Sequence, residues 1–344
     1  MDQASSDGVV VDRRAEINTP SISAVILNWN DSQSTIACIT SVLQSEYRNV
    51  DVVILDNGST DDSLKNLLHW HDSLPSSPSR SKIVIDASCT LVSRSERVYI
   101  LSNEENEGYT GGMNKAISFA ITQNSPEYIF LLNNDAIVER NCLVHCVATS
   151  RRYHAAIVGA LVKSSDGNAV LFSGSRPWRE LFVSTLPVKE ESLPDDWETG
   201  RVEGSGILLR TDFLKEVVER FGNVFEPTFF LYGDDIELGL RAHFLKARIY
   251  MTKSAVIYHG LAKSMGGAGN PMHSYYITRN RVSLAKRWLP LPLKLIFHLY
   301  FPPTRLLRAA HRLVQGKNDV ARAIVEGLFD GYKGRSGKWT RHTL

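Results

Sequence analysis

Four stretches of this chain share one construction: a run of apolar, largely β-branched residues that stops abruptly at Asn, Ser or Asp. They are ISAVIL before Asn28–Trp29–Asn30, VDVVIL before Asp56–Asn57, VYIL before Ser102–Asn103, and YIFLL before Asn133–Asn134–Asp135. A strand that faces water on one side alternates apolar with polar residues. A continuous run instead indicates a strand covered on both faces, as in a parallel sheet between two helical layers. Helical spacing follows the runs: Ile36, Ile39, Val42 and Leu43 after the first, with Asp31 and Ser32 as caps, and NEGYTGGMNKAISFAITQ after the third. Ser59 and Thr60, supported by Asp61 and Asp62, are expected to cap the helix after the second. Strand and helix in alternation predict a doubly wound α/β fold, whose ligands bind beyond the carboxyl ends of the strands.

At 344 residues and 43% apolar content the chain can bury a large core. Between residues 72 and 97 the Ser- and Pro-rich composition reads as an excursion around a short strand, KIVID, with limited order. VGALVKSSDGNAVLFSG reads as a hairpin through Asp166 and Gly167, followed by a polar loop carrying Trp178 and Trp197, a candidate substrate lip. GILLR, a helix from Asp212 to Phe221, a helix from Asp234 to Ala247, and a strand pair, RIYMT and AVIYH, complete the pattern. Cys38, Cys89, Cys142 and Cys146 have no metal-ligand spacing and read as free thiols of a reducing compartment.

Charge is divided unevenly. Residues 281–344 hold 13 Lys or Arg against 3 Asp or Glu, and the first 280 hold 26 against 34, so the two parts carry +10 and −8. A basic tail seeks an anionic partner. No nucleic-acid module accompanies it, so nucleic acid is not expected. LPLPLKLIFHLYFPP is too short and too interrupted to span a bilayer but is suited to lie on one.

The strand-end residues Asn28, Asn30, Asp56, Asn57, Asn134 and Asp135 would converge on one cleft. Each alone is an ordinary turn residue; as a set they point to a ligand. Asp56 is placed to accept from a pyrimidine N3 or a ribose hydroxyl, and Asp135 to hold a divalent cation that offsets a diphosphate. Gly108, Gly111 and Gly112, ahead of Asn114, allow backbone to approach a ligand at a helix start.

Together these residues resemble the inverting GT-A glycosyltransferases of family 2, in particular the rhamnosyltransferase-like branch. The likeness is collinear from about Ile22 to Arg281. It covers the opening SAVILNWNDSQSTIACITSVLQSEY with VDVVILDNGSTDDS, then NEENEGYTGGMNKAI, GSGILLR and FFLYGDDIELGLR. The family's DxD element corresponds to Asn133–Asn134–Asp135, which keeps only its last acid. Glycine-led residues 222–227 (GNVFEP) depart from the usual sequence beside the acceptor.

The resemblance implies a nucleotide-diphospho-sugar transferase fold: a doubly wound mixed sheet with a C-terminal helical tail. Residues 1–20 would be a flexible leader, 21–152 the nucleotide-sugar half, 153–281 the acceptor and catalytic half, and 282–344 a basic amphipathic tail. It assigns Asp235 as catalytic base, His259 with Asp135 to a Mg²⁺ or Mn²⁺ site, and Arg279 to a donor phosphate. Gly204, Asp234 and Glu237 fall on the acceptor side with Trp178. The expected reaction transfers a sugar, rhamnose by branch likeness, from a dTDP- or UDP-linked donor to a saccharide or lipid-linked saccharide in glycan biosynthesis. The expected location is cytoplasmic, peripheral on the inner leaflet. A catalytically silent binding module of the same fold is the alternative, and a nucleotidyltransferase is disfavoured because its early basic glycine loop is absent.

Overall fold

A computed structural model describes residues 19–75, 79–86, 88–182, 188–260 and 270–340. The leader expected over 1–20 falls almost wholly outside them. Twelve strands join in one sheet. In chain order they are β1 (Ile22–Asn28), β2 (Val50–Asn57), β3 (Ser79–Val84), β4 (Cys89–Arg94), β5 (Val98–Asn103), β6 (Tyr128–Asn133), β7 (Ala136–Val138), β8 (Ile157–Ser164), β9 (Val170–Phe172), β10 (Asp196–Thr199), β11 (Gly206–Arg210) and β12 (Ile249–His259). The longer helices are α1 (Ser32–Leu43), α2 (Ser63–Asp72), α3 (Gly108–Asn124), α4 (Cys142–Tyr153), α5 (Thr211–Phe221), α6 (Asp234–Phe244), α7 (Pro271–Trp288), α8 (Leu291–Val314) and α9 (Asn318–Lys333).

The strand order is β10-β12-β8-β11-β6-β1-β2-β5-β4-β3. The four polar-ended strands form its parallel centre, β6-β1-β2-β5. Antiparallel β11 separates them from β8 and β12, which gives the mixed sheet that the family likeness implied. The uninterrupted apolar runs have a direct cause. Val25, Val53, Leu101 and Leu131 pack with Met113 and Ile117 of α3 on one face. Their neighbours Ile26, Ile54, Ile100 and Leu132 pack with Ile39 of α1, Leu67 of α2 and Leu143 of α4 on the other. In each central strand all but one residue is therefore buried, the exceptions being Leu27, Asp51, Ser102 and Asn133.

Register aligns the strand ends. Asn28 lies opposite Asp56, Leu27 opposite Asn133, and Asn57 opposite Asn103, so the polar residues form one row along the carboxyl edge of the sheet. The cap expected from Asp31 is present, its Oδ1 accepting from Ser34 N at 3.2 Å. The cap expected from Ser59 and Thr60 is not: α2 starts at Ser63 after Asp62, because Ser59 and Thr60 bond back to Asp56 and Asn30.

Two other expectations are corrected. The excursion before residue 97 contains the antiparallel pair β3–β4, which extends the sheet from β5. Its Ser- and Pro-rich start obscured the strands. RIYMT and AVIYH are one strand, β12, continuous along β8, with an irregularity between Thr252 and Val256 that absorbs the polar Lys253–Ser254. All four cysteines are buried free thiols, as expected.

The basic tail folds onto α6. Ile236 and Leu240 of α6 share an apolar cluster with Leu284 of α7, Phe297 and Phe301 of α8, and Leu328 of α9. Gly327 lets α9 approach α7, since a Cβ there would stand 2.6 Å from the Tyr275 carbonyl oxygen. Among the described residues no helix is long and apolar enough to cross a membrane.

Candidate active site

A cleft of about 490 Å³ opens along the carboxyl edge of the parallel strands. Leu27 in β1 with Trp29 after it, Asn57 at the end of β2 with Gly58 and Thr60 after it, Glu104 to Asn106 after β5, and Leu132 to Asn134 at β6 line it. Gly108 and Tyr109 open α3 on one side, and Phe230, Leu231, Met272, Tyr276, Lys338 and Trp339 close the other.

Asp56 organises the floor. It is 1% exposed, and its carboxylate accepts from Asn28 Nδ2 at 2.6 Å, Ser59 Oγ at 2.6 Å and Ser59 N at 3.1 Å. Thr35 Oγ1 donates to Asn28 Oδ1 at 2.7 Å. Asn30 exchanges bonds with Thr60, locking the turn after β1 to the turn after β2. Asn57 takes Asn103 Nδ2 on its oxygen at 2.9 Å and gives its own Nδ2 to Asn106 Oδ1 and the Gly108 carbonyl. The glycines that reach the cleft are Gly58 and Gly108. Gly108 has φ +76°, and a Cβ on it would stand 2.4 Å from the Phe230 carbonyl oxygen.

Just after the cleft-lining Asn133 and Asn134, Asp135 Oδ1 lies 3.0 Å from His259 Nε2, which also meets Asn133 Nδ2 at 3.2 Å. Asn134 donates to Thr35 Oγ1 at 3.2 Å. Burial disfavours the imidazolium, but the hydrogen bond and charge of Asp135, with Glu203 behind, raise the His259 pKa overall. Among the described residues no group of three His, Cys, Asp or Glu side chains could enclose a cation. Asp135 and His259 supply an oxygen and an imidazole nitrogen. That pair fits a Mg²⁺ or Mn²⁺, which it would hold and which would supply positive charge to a donor diphosphate.

The acidic segment follows a turn with three left-handed residues, Phe230 (φ 64°), Tyr232 (φ 62°) and Gly233 (φ 89°). For Phe and Tyr this conformation costs roughly 1–2 kcal/mol each, and α7 offsets it. Arg279, 1% exposed, donates to the carbonyls of Thr228 (3.1 Å), Phe229 (2.7 Å) and Gly337 (2.6 Å). Asn280 Nδ2 holds those of Phe229, Leu231 and Tyr232. The turn delivers Asp234 and Asp235 to the start of α6. Asp235 pairs with Arg201 through one oxygen and accepts from Ile236 N at 2.8 Å through the other. Asp234 is buried beside it. Burial first, then the charge of Asp235, raise its pKa to about 7. Tyr109 links the pair to the cleft: its ring lines the wall, and burial and the charges of Asp234 and Asp235 raise its phenol pKa well above the usual value. A Cβ on Gly204 would stand 3.5 Å from the Tyr109 hydroxyl and 3.9 Å from Asp234.

The structure therefore gathers Asn28, Asn30, Asp56, Asn57, Asn134, Asp135 and His259 along the carboxyl edge of the parallel strands, where Asn57 and Asn134 line the cleft itself, with Gly204, Asp234 and Asp235 behind Tyr109. It places the other expected site residues elsewhere. Arg279 braces carbonyls and is not among the residues that line the cleft. Asn114 is bonded to the backbone of Phe225 in both directions, at 2.8 and 2.9 Å. Gly112 packs α3 on Leu27, where a Cβ would stand 2.6 Å from Cδ1, and Gly111 faces Glu107. Glu237 is buried against Arg241, Arg287 and Trp288, tying α6 to α7. Trp178 packs edge-on against His243 at 5.9 Å. Sequence reasoning missed Tyr109, whose aromatic position in the glycine loop was a usable signal. It also missed Lys338 and Trp339. Trp339 is pinned by Tyr275 (4.7 Å, stacked) and Glu326 (2.9 Å), and no local pattern in the tail reveals that it returns to the cleft.

A nucleotide-type cleft at the carboxyl edge of a mixed α/β sheet, with acids at a strand end and at a helix start, defines the GT-A class of fold. Structures similar to it bear this out. The mannosyltransferase PcManGT of Pyrobaculum calidifontis, in complex with GDP-Man and Mn²⁺, has a TM-score of 0.55 at 14% identity, over 92% of this chain and 88% of that one. S. aureus TarS 1-349, in complex with UDP-GlcNAc, has a TM-score of 0.55 at 16% identity, over 92% and 81%. GalNAc-T7 with UDP, GalNAc and Mn²⁺ has a TM-score of 0.58 at 14% identity, over 78% and 49%. The chain belongs to glycosyl transferase family 2, whose model matches residues 23–218. It is also 26% identical over 122 residues to the glycosyltransferase GlyG of Streptococcus pneumoniae serotype 4, 36% of this chain; it spans about a third (32%) of that relative.

Proposed function

We propose that the chain is an inverting, metal-dependent glycosyltransferase that moves a sugar from a nucleoside-diphosphate donor to a hydroxyl of a saccharide or lipid-linked saccharide. The observation that carries this reading is the arrangement of two acidic centres about one cleft: Asp135 with His259, bonded to the cleft-lining Asn133, and Asp235 at the start of α6 behind Tyr109. The nucleotide would lie over Asn57, Gly58 and Thr60, with Asp56 holding the β1 and β2 turns in shape beneath it. Asp135 and His259 would hold the cation, which offsets the charge of the departing diphosphate. Asp235 takes the proton of the acceptor hydroxyl as its oxygen attacks the anomeric carbon. A carboxylate offers about four acceptor positions, so the bonds from Arg201 and Ile236 leave room for that hydroxyl.

The similar structures carry UDP-GlcNAc or GDP-Man with Mn²⁺, which supports a nucleotide-sugar donor and a cation in this cleft. A dTDP- or UDP-linked donor, and rhamnose as its sugar, follow from branch likeness. The setting is glycan biosynthesis at the cytoplasmic face of a membrane. There α8 would rest on the inner leaflet, since it exposes Leu299 (79%) and Leu307 (72%) beside Arg308 and Arg312. Titration calorimetry with dTDP- and UDP-sugars in Mn²⁺ and in chelator tests the reading. Donor affinity is expected to fall in chelator by about tenfold or more, the scale of a lost charge-assisted contact. Equal affinity in both removes Asp135 and His259 from a metal role.

A further inference from the structure

A diphosphate brings several negative charges into a cleft, and fixed cations must offset those that a metal does not. Among the described residues that line this cleft, the carboxylates are Glu104 and Glu105, and the one Lys or Arg is Lys338. Lys338 lies on a strap that follows α9. Gly334 ends that helix with φ 72°, and Gly337, with φ 77°, joins the strap to the turn that leads to Asp234. The Gly337 N–H donates to the Thr228 carbonyl at 2.8 Å, and the Gly337 carbonyl accepts from Arg279 Nη1 at 2.6 Å. Arg279 Nη2 also donates to the Thr228 carbonyl, at 3.1 Å, so one buried guanidinium clamps strap and turn together.

The residue after Lys338 is anchored as well. The Trp339 N–H donates to the Tyr276 hydroxyl at 2.8 Å and its Nε1 to Glu326 at 2.9 Å, while its ring stacks on Tyr275 at 4.7 Å. Tyr276 lines the cleft and stacks in turn on Phe230 at 5.6 Å. Lys338 therefore sits between two fixed neighbours on one wall of the cleft. Its side chain is exposed and makes no ion pair or hydrogen bond among the described residues. A lysine on a loose tail would lose much freedom on meeting a ligand; here the backbone is already placed, and only the four-carbon stem remains to be ordered. We propose that Lys338 is a donor-binding residue whose ammonium contacts the diphosphate of the nucleotide sugar and offsets its charge, from the wall that Phe230, Tyr276 and Trp339 form. This deepens the glycosyltransferase reading and rests on it. The cation that the sequence led one to seek in Arg279 is then supplied one residue beyond the carbonyl that Arg279 holds.

Titration calorimetry on the full chain tests the assignment, with wild type, Lys338→Gln and Lys338→Arg as proteins, and uridine diphosphate, thymidine diphosphate and uridine as ligands in Mn²⁺. Lys338→Gln is expected to weaken binding of the diphosphates by about tenfold or more, the scale of a lost charge-assisted contact, and to leave uridine binding unchanged. Lys338→Arg is expected to keep most of the affinity, and both variants to unfold at the wild-type temperature. Equal affinity of wild type and Lys338→Gln for the diphosphates overturns the assignment. So does a parallel loss of uridine binding or a loss that Lys338→Arg does not recover, because either would mean that the strap shapes the wall without lending its charge. Inorganic pyrophosphate with Mn²⁺, read by thermal shift, separates the two claims. A wild type that binds no nucleoside diphosphate contradicts the glycosyltransferase reading, and Lys338 is then judged by whether Lys338→Gln abolishes stabilisation by pyrophosphate; stabilisation that is absent from the wild type or equal in both overturns it.

Discussion

Asp234 and Asp235 are adjacent in sequence and opposite in surroundings. Asp235 has Arg201 as counter-ion, whereas Asp234 is buried with the charge of Asp235 beside it and its pKa raised to about 7. A carboxyl whose folded pKa lies above its unfolded value binds its proton more tightly when folded. Its contribution to stability is complete below about 3.8 and is lost as the pH rises to about 7. Asp234→Asn should therefore match the wild type near pH 4 and exceed it at pH 8 by on the order of 2–4 kcal/mol, read from urea unfolding at the two values. A constant difference across the range would mean that Asp234 is ionised in the native state. Arg279 is the residue whose role changed most. A cation near a nucleotide cleft invites pairing with a phosphate, and its backbone partners at Thr228, Phe229 and Gly337 are invisible in sequence because they lie some 50 residues away. Arg279→Met should lower stability by on the order of 3 kcal/mol in denaturant unfolding, since it strands buried carbonyls. A purely phosphate-binding arginine would instead leave stability unchanged and weaken only donor binding.

Elements were legible in proportion to how local their causes are. The central strands announce themselves because burial on both faces forces an unbroken apolar run, and their polar ends mark the cleft directly: Asn57, Asn133 and Asn134 line it, and Asn28 and Asp56 are bonded to each other at the same edge. β3 and β4 were obscured because an edge hairpin needs no such run. The glycine loop was legible as a ligand-side turn, but the division of work among its glycines was not. Gly108 faces the Phe230 carbonyl and holds a left-handed backbone, whereas Gly112 serves packing of α3 on β1. Gly108→Ala should thus disturb both the start of α3 and the turn that leads to Asp234. A loss of more than about 1 kcal/mol of stability is expected, with weaker donor binding by calorimetry. Wild-type values for both would place the φ and contact requirements of this loop elsewhere.

At the scale of the whole molecule, the tail is what the sequence reading changed least in composition and most in position. Its charge was plain, but α7 and α9 are packed onto α6, the residues after α9 bring Lys338 and Trp339 into the cleft, and α8 keeps an exposed apolar face. The sheet edge, the Arg279-braced turn and the tail enclose one cleft with Tyr109 in its wall, and on the proposed reading the donor would lie over the sheet and the acceptor beside the turn. The central claim is that Asp235 deprotonates the acceptor of a sugar transfer. Release of nucleoside diphosphate from a bound sugar donor, followed in wild type and in Asp235→Asn with Mn²⁺ present, tests it most directly. The account predicts unchanged donor affinity and turnover lower by about 10² or more; turnover at the wild-type rate in Asp235→Asn, or donor binding with no release in the wild type, would contradict it.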